Sequence, residues 1–324
     1  MRAVTYTRYG GPEGHSMSEL PDPAPGPGQV RVRVRAAGLN PYDWHLYRAD
    51  PWIARSAVGW RGPGRRVLGA DVAGVVDALG AGVDSFQVGD AVYGEIGFGS
   101  CGEAAVADAS RLALKPRSLT FTEAAAVPMG ALTALHGLEK ARVPAGASVL
   151  VLGASGGVGH FAVQIAKALG AGRVVAVCAD RNADWVAGLG ADRVIAYDRE
   201  DVRDCGERFD VVFDTVATLP LRRLAPLIAS DGVFAPAGAL KGSRLLGPAG
   251  PMFAAAAAGP WLRRRVALVA ARPEGASLER IAAWIDRGEV RPHLGAVYPL
   301  EEHMSACIHL ETQRVGGKVV LEVG

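Results

Sequence analysis

The chain is poor in cysteine, in net charge and in long apolar runs, and each shortage removes a class of function. Its four cysteines, Cys101, Cys178, Cys205 and Cys307, stand far apart and form no Cys-x-x-Cys pair. Neither a disulfide framework nor a structural zinc site is therefore indicated, and a reducing, cytoplasmic compartment is expected. Thirty-five Lys and Arg against 33 Asp and Glu leave a formal charge of only +2. The basic residues are scattered, so no nucleic-acid partner is expected. No run approaches the ~20 apolar residues of a membrane span, and Met1-Arg2-Ala3-Val4-Thr5-Tyr6 enters strand-like sequence without an apolar leader. A soluble protein with small-molecule partners and no membrane partner is expected. The seven histidines have no zincin spacing.

What is present is ordinary globular composition, 49% hydrophobic and 21% charged over 324 residues, enough for two domains with full cores. Up to about residue 125 the signals are β. Val30-Arg31-Val32-Arg33-Val34-Arg35 alternates with period two, and strand candidates at 72–76, 88–93 and 103–106 lie between glycine-containing turns. This part reads as an antiparallel, partly open barrel. From about 126 helices alternate with apolar strands at 148–152, 173–178, 193–197, 209–214 and 232–237, the signature of a doubly wound parallel sheet. Residues 276–287 and 301–312 follow as amphipathic helices. A last strand, Lys318-Val319-Val320-Leu321-Glu322-Val323, is expected to return to the first domain. The expected domains are thus 1–125 with 266–324, and 126–265. Two stretches, Arg48 to Val67 and Gly242 to Arg265, fit neither pattern and read as insertions.

The most specific feature is Ser148-Val149-Leu150-Val151-Leu152-Gly153-Ala154-Ser155-Gly156-Gly157-Val158-Gly159, a buried strand entering a glycine-rich turn that opens a helix. Glycines at 153, 156 and 159 permit a tight turn and a close backbone approach, and the helix start offers unpaired N–H donors to a pyrophosphate. The following helix face (Val158, Ala162, Ile165, Ala166, Leu169), the stop at Gly170 and the strand Arg173–Val177 complete the unit that a dinucleotide fingerprint requires.

Several blocks in order extend the pattern: Gly38-Leu39-Asn40-Pro41-Tyr42-Asp43, Leu68-Gly69-Ala70-Asp71-Val72-Ala73-Gly74-Val75-Val76, Val88-Gly89-Asp90-Ala91-Val92-Tyr93-Gly94, Ala124-Ala125-Ala126-Val127-Pro128, Leu132-Thr133-Ala134 and Leu189-Gly190-Ala191-Asp192. With the glycine turn they resemble, over nearly the whole chain, the medium-chain dehydrogenase/reductase superfamily in its zinc-free quinone oxidoreductase (zeta-crystallin-like) branch. The resemblance implies a GroES-like catalytic domain, a Rossmann domain, an active site in the cleft between them and a homodimer joined through the edge of the cofactor sheet. In the superfamily's alcohol dehydrogenases a Cys stands where this chain has Asn40, a His-Glu pair where it has Ala70-Asp71, and a second Cys where it has Met129. Alanine has no donor and a thioether is a poor one for zinc, so no metal is expected.

NADPH is the expected cofactor, with NADH second. The second Rossmann strand ends in Cys178 instead of an acid, and Arg181 can clamp a 2′-phosphate; Asp180 either pairs with Arg181, faces water or repels that phosphate. By resemblance Tyr197 lies near the phosphate, Thr133 and Gly238 line the nicotinamide and its ribose, and Asn40, Ser155, Gly157, Val158, Val216 and Lys318 complete the cofactor contacts. A site without zinc suits hydride delivery to an acceptor already electrophilic, a quinone or an α,β-unsaturated carbonyl. Asn40 is the candidate for the polar contact to the developing oxygen, or else a loop cap beside Pro41; Asp43, a catalytic candidate, organises the loop or transfers protons; His45 or Tyr47 donates a proton or packs. Trp52, Trp60, Met252, Phe253 and Trp261 are substrate-pocket candidates, with core packing the alternative. Arginines 61, 65, 66 and 263–265 read as solvated faces, or as binders of a CoA-type carrier. An enoyl reductase of carrier-bound intermediates and a non-catalytic NADPH-binding protein are the competing functions.

Overall fold

Alternation along Gln29–Leu39 puts Val30, Val32 and Val34 on a buried face and leaves Arg31 and Arg33 outward, where both reach Asp77 of the neighbouring strand. A computed structural model describes residues 1–238, 245–247, 249–312 and 314–324, and in it this strand is the spine of the first of two units. It pairs antiparallel with Asp71–Leu79, Ala104–Asp108 and Lys318–Glu322, so the chain's last strand does return to the first sheet. The sheet runs 294–299, 318–322, 29–39, 71–79, 91–95, 112–114, with a smaller sheet of 15–19, 2–6 and 66–67. This is the GroES-like half. Its core is a continuous cluster that includes Val4, Tyr6, Val32, Tyr47, Val72, Val76, Leu112 and Leu321.

The second unit is a six-stranded parallel sheet in the order 193–196, 173–178, 148–152, 209–214, 228–236, 265–266. Numbered along the chain, that order is 3-2-1-4-5-6, a Rossmann arrangement whose direction reverses between 148–152 and 209–214. Leu150, Leu152, Val175, Val177, Ile195, Phe209, Val212 and Phe234 form much of its core.

The units comprise Met1–Met129 with Pro273–Gly288 and Pro292–Gly324, and Gly130–Arg272 with Glu289–Arg291. The return to the first unit falls later than residue 266 because Arg265–Val266 adds a sixth strand to the parallel sheet through Val233 and Phe234. The first insertion folds as short turns, Trp52–Ala54 and Arg55–Val58, before strand Arg66–Val67. The second forms the helix Ala249–Trp261; Gly242, its expected start, lies outside the described residues. Among the described residues no helix is long and apolar enough to cross a membrane.

Candidate functional site

In the Rossmann unit the three glycines of the fingerprint carry three different constraints. Gly153 sits at φ +79°, and a Cβ there would lie 2.4 Å from Thr215 Oγ1 and 2.6 Å from Val216 Cγ1, so the turn and the neighbouring strand end both require it. At Gly159 a Cβ would meet the Gly153 carbonyl oxygen at 2.1 Å, which holds the helix close to its strand. Gly156 differs: the nearest atom to its added Cβ is the Gly153 oxygen at 3.3 Å, and its φ is not positive. The fold asks little of Gly156, and a side chain there would fill the space in front of the turn.

Gly153 and Ala154 N–H groups donate to the Val177 carbonyl, and Gly156 N–H to that of Gly153. Those of Ser155, Gly157 and Val158 donate to no acceptor among the described residues. Three open donors at the start of helix Gly159–Ala168, at the reversal point of the sheet, are the chemistry that holds a phosphate anion. A dinucleotide fits this cradle.

Farther along the sheet edge, Cys178 is buried at the end of its strand. Arg181 is exposed and forms no ion pair among the described residues, while Tyr197 is 62% exposed with its N–H on the Cys178 carbonyl. Asp180 neither pairs with Arg181 nor stands alone: it is ion-paired to Arg199, which no motif singles out, and its N–H donates to Asp198. Asp214 was also missed. Fully buried at the end of strand Phe209–Asp214, it accepts from the Val216 and Ala217 N–H groups through Oδ1, whereas its Oδ2 has no hydrogen-bond partner. Burial pushes its carboxyl up to about 6. Thr133 and Gly238 are half-buried in this unit.

In the GroES-like unit a polar network crosses the core. Asn40 Nδ2 donates to Asp71 Oδ2 at 2.9 Å, Lys318 Nζ donates to Asn40 Oδ1, and Lys318 and Asp71 form an ion pair at 3.2 Å. Met129 N–H closes the other side of the carboxylate at 3.1 Å. Asp71 is fully buried and Lys318 is 3% exposed. Asn40's backbone N–H donates to Asp43 Oδ2 at 2.7 Å, and Asp43 caps the start of the helix Pro41–Arg48. Burial pushes Asp43 up to about 7, opposed by that hydrogen bond. The side chain of Asn40, the N-cap of this helix, shares a capping box with Asp43 and also meets Asp71 and Lys318.

Tyr47 does not stand ready as a proton donor. It is 1% exposed within the core cluster, and its hydroxyl donates to Glu311, which also holds Arg48. His45 Nδ1 is engaged with the Asp50 carbonyl. Trp52 and Trp60 are 59% and 67% exposed, with the Arg55 guanidinium beside the Trp52 ring. Met252 is half-buried and Phe253 is 58% exposed on the helix Ala249–Trp261.

The positions where a zinc dehydrogenase carries its ligands hold Asn40, buried Ala70 and Met129. The neighbouring carboxylate, Asp71, is neutralised by an ammonium group. Among the described residues no group of three or more His, Cys, Asp or Glu is placed to hold a metal ion. This donor set does not fit zinc.

A barrel of GroES type and a Rossmann sheet with an open phosphate cradle define a medium-chain dehydrogenase/reductase. Residues 26–137 match the alcohol dehydrogenase GroES-like domain family, and residues 189–321 a family described as zinc-binding dehydrogenase. The chain is 33% identical to 2-methylene-furan-3-one reductase of Solanum lycopersicum, over 99% of its length and 79% of the relative's. It is 32% identical, with the same coverage, to the chloroplastic NADPH-dependent alkenal/one oxidoreductase of Arabidopsis thaliana. Among solved structures, the quinone oxidoreductase of Coxiella burnetii superposes with TM-score 0.87 at 27% identity, covering 100% of this chain and 99% of that one. The chain belongs to the medium-chain dehydrogenase/reductase superfamily, in its quinone oxidoreductase branch. It is an NAD(P)H-dependent oxidoreductase.

Proposed function

We propose that this enzyme is a metal-independent, NADPH-preferring reductase of quinones or α,β-unsaturated carbonyls. The observation that carries the reading is the Lys318 ammonium hydrogen-bonded among Asn40 and Asp71, where a metal would need free donors. With no Lewis acid accommodated, an acceptor must be electrophilic through its own conjugation. The names of the tomato and Arabidopsis relatives, a furanone reductase and an alkenal/one oxidoreductase, support the same substrate class.

Bound reduced nicotinamide coenzyme supplies the hydride. The Ser155, Gly157 and Val158 N–H groups hold the pyrophosphate and Gly156 leaves it room. Arg181 takes the 2′-phosphate, and Arg199 supports this by neutralising Asp180, which otherwise repels the phosphate. Asn40 and Asp43 act as positioning residues that fix the turn after strand Gln29–Leu39 through Lys318 and Asp71. Hydride adds to the conjugated carbon of the acceptor. The electron pair moves to its oxygen as enolate or phenolate, and a proton from water completes the ketone or hydroquinone. Thr133, Tyr197, Val216 and Gly238 remain the assigned cofactor contacts, and the cytoplasm and a homodimer paired through the Arg265–Val266 sheet edge the assigned setting.

The test is NADPH oxidation with a naphthoquinone, an alkenal and an enoyl thioester, using coenzyme deuterated at the transferred position. Deuterium in the reduced quinone's solvent-exchanged product is uninformative, so the label is read in the saturated aldehyde. Oxidation by quinone or alkenal with label retained on the β-carbon is expected. Turnover of the thioester alone, no turnover with any acceptor, or stoichiometric zinc lost together with activity on chelation would overturn the reading.

A further inference from the structure

The open N–H groups of the glycine turn can share one phosphate only if their peptides face the same way, and the turn's own residues do not ensure that. Gly156 and Gly157 carry no Cβ, so the peptide between them lacks the steric limits that would fix its plane. Turned over, it would offer an anion the Gly156 carbonyl oxygen in place of the Gly157 N–H, because the two point in opposite directions across a trans peptide. A side chain one helical turn on prevents this. His160 Nδ1 lies 2.8 Å from the Gly156 carbonyl oxygen, which the His160 backbone N–H also reaches, at 3.2 Å. A carbonyl only accepts, so Nδ1 carries the proton, and both lone pairs of that oxygen are engaged from the helix side. Double donation also polarises the peptide and strengthens its N–H as a donor.

The ring is held in place from behind. His160 is fully buried on helix Gly159–Ala168. One turn further, Gln164 donates through Nε2 to the His160 and Arg291 carbonyls, each at 2.9 Å, and accepts the Arg291 N–H at 2.9 Å. The next peptide of the turn is set from another side. A Cβ on Gly130 would stand 2.4 Å from the Gly157 carbonyl oxygen, so that oxygen abuts the helix Pro128–Ala141 and the Val158 N–H faces away from it. The Gly157 and Val158 donors are thus each aimed by what meets the carbonyl across the same peptide.

We infer that His160 is a positioning residue for the coenzyme's pyrophosphate: its Nδ1–H fixes the Gly156–Gly157 peptide so that the Gly157 N–H faces the phosphate before coenzyme arrives. This rests on the reading that the turn holds the pyrophosphate. The glycine pattern says where the backbone can be approached, not which way its peptides face, and His160 supplies that second requirement. NADPH and NADH share the pyrophosphate, so the effect of His160 is common to both, unlike that of Arg181.

The test titrates NADPH and NADH into full-length His160→Leu, His160→Asn and Gly156→Val, read by coenzyme fluorescence. Leucine fills the space without a donor, whereas asparagine brings an amide N–H close to the place of Nδ1. His160→Leu should weaken both coenzymes about tenfold, the effect of one hydrogen bond and the order it imposes. The KM for NADPH should rise while kcat at saturating coenzyme stays within about twofold of the parent's. His160→Asn should bring both affinities back to within about threefold. In the unaltered enzyme, nitrogen NMR spectra of the histidine rings should show the proton on His160 Nδ1 with and without coenzyme, a readout that needs no variant to fold. Parent-like affinity in His160→Leu, a loss confined to NADPH, an equal loss in His160→Asn, or a bare Nδ1 would overturn the inference. If Gly156→Val also binds coenzyme as the parent does, the phosphate-turn reading falls with it; if Gly156→Val abolishes binding and His160→Leu does not weaken it, only the role of His160 falls.

Discussion

At the scale of single residues, the consequential groups are ionisable side chains buried in apolar strands. Lys318 and Asp71 satisfy each other and Asn40, so removing one partner leaves an uncompensated charge. Lys318→Met is expected to destabilise the protein by about 3–5 kcal/mol. Adding Asp71→Asn should recover much of that loss, and urea denaturation of the double-mutant cycle measures both. Asp214 has the opposite economy, a carboxyl that its site does not pair fully. Its folded pKa of about 6 exceeds its ordinary 3.8, so its contribution is most favourable below pH 4 and declines as pH rises to 6. Asp214→Asn should therefore stabilise the protein at pH 7.5 by up to about 3 kcal/mol and change nothing near pH 3.5. Thermal melts at the two pH values decide it; equal shifts at both would refute the burial argument. These residues were visible as ionisable side chains inside apolar runs, Ala70-Asp71-Val72 and Lys318-Val319-Val320, but their pairing spans nearly the whole chain and no local spacing encodes it.

At the scale of elements, the glycine turn separates structural from functional need. Gly156→Val should leave the fold intact and weaken coenzyme binding about a hundredfold, because the backbone's approach to the pyrophosphate is blocked. Gly153→Val, at positive φ and against Thr215, should instead fail to give folded protein. Circular dichroism with coenzyme titration distinguishes the two outcomes. In the neighbouring loop, Arg181→Ala should cost about tenfold in NADPH affinity and leave NADH affinity within about twofold. Equal loss for both coenzymes would remove Arg181 from phosphate recognition. The turn was legible because strand, glycines and helix are contiguous. Arg199 was not, because its partner Asp180 stands on a different loop of the sheet.

At the scale of the whole molecule, acidification acts on the GroES-like unit through His15 and His303, stacked at 6.1 Å and both buried. Neither nitrogen of His15 has a hydrogen-bond partner, and burial together with the neighbouring histidine holds it down at about 4. A depressed histidine leaves stability untouched above its unfolded value near 6.5 and removes it as pH falls towards 4, by up to about 3 kcal/mol for His15. His15→Phe should flatten that limb of a stability-against-pH curve, and an unchanged slope would assign acid sensitivity elsewhere. The two-part architecture, the parallel strands and the phosphate turn are legible along the chain, because each is written in local periodicity and contiguous glycines. It takes the folded molecule to show that Asn40 is held by Lys318 and Asp71, that Tyr47 belongs to Glu311, and that the uncharged helix Ala249–Trp261 keeps one exposed side. Those outcomes depend on contacts between distant segments and on which face of an element finds a neighbour, and neither is written in the order of residues along the chain.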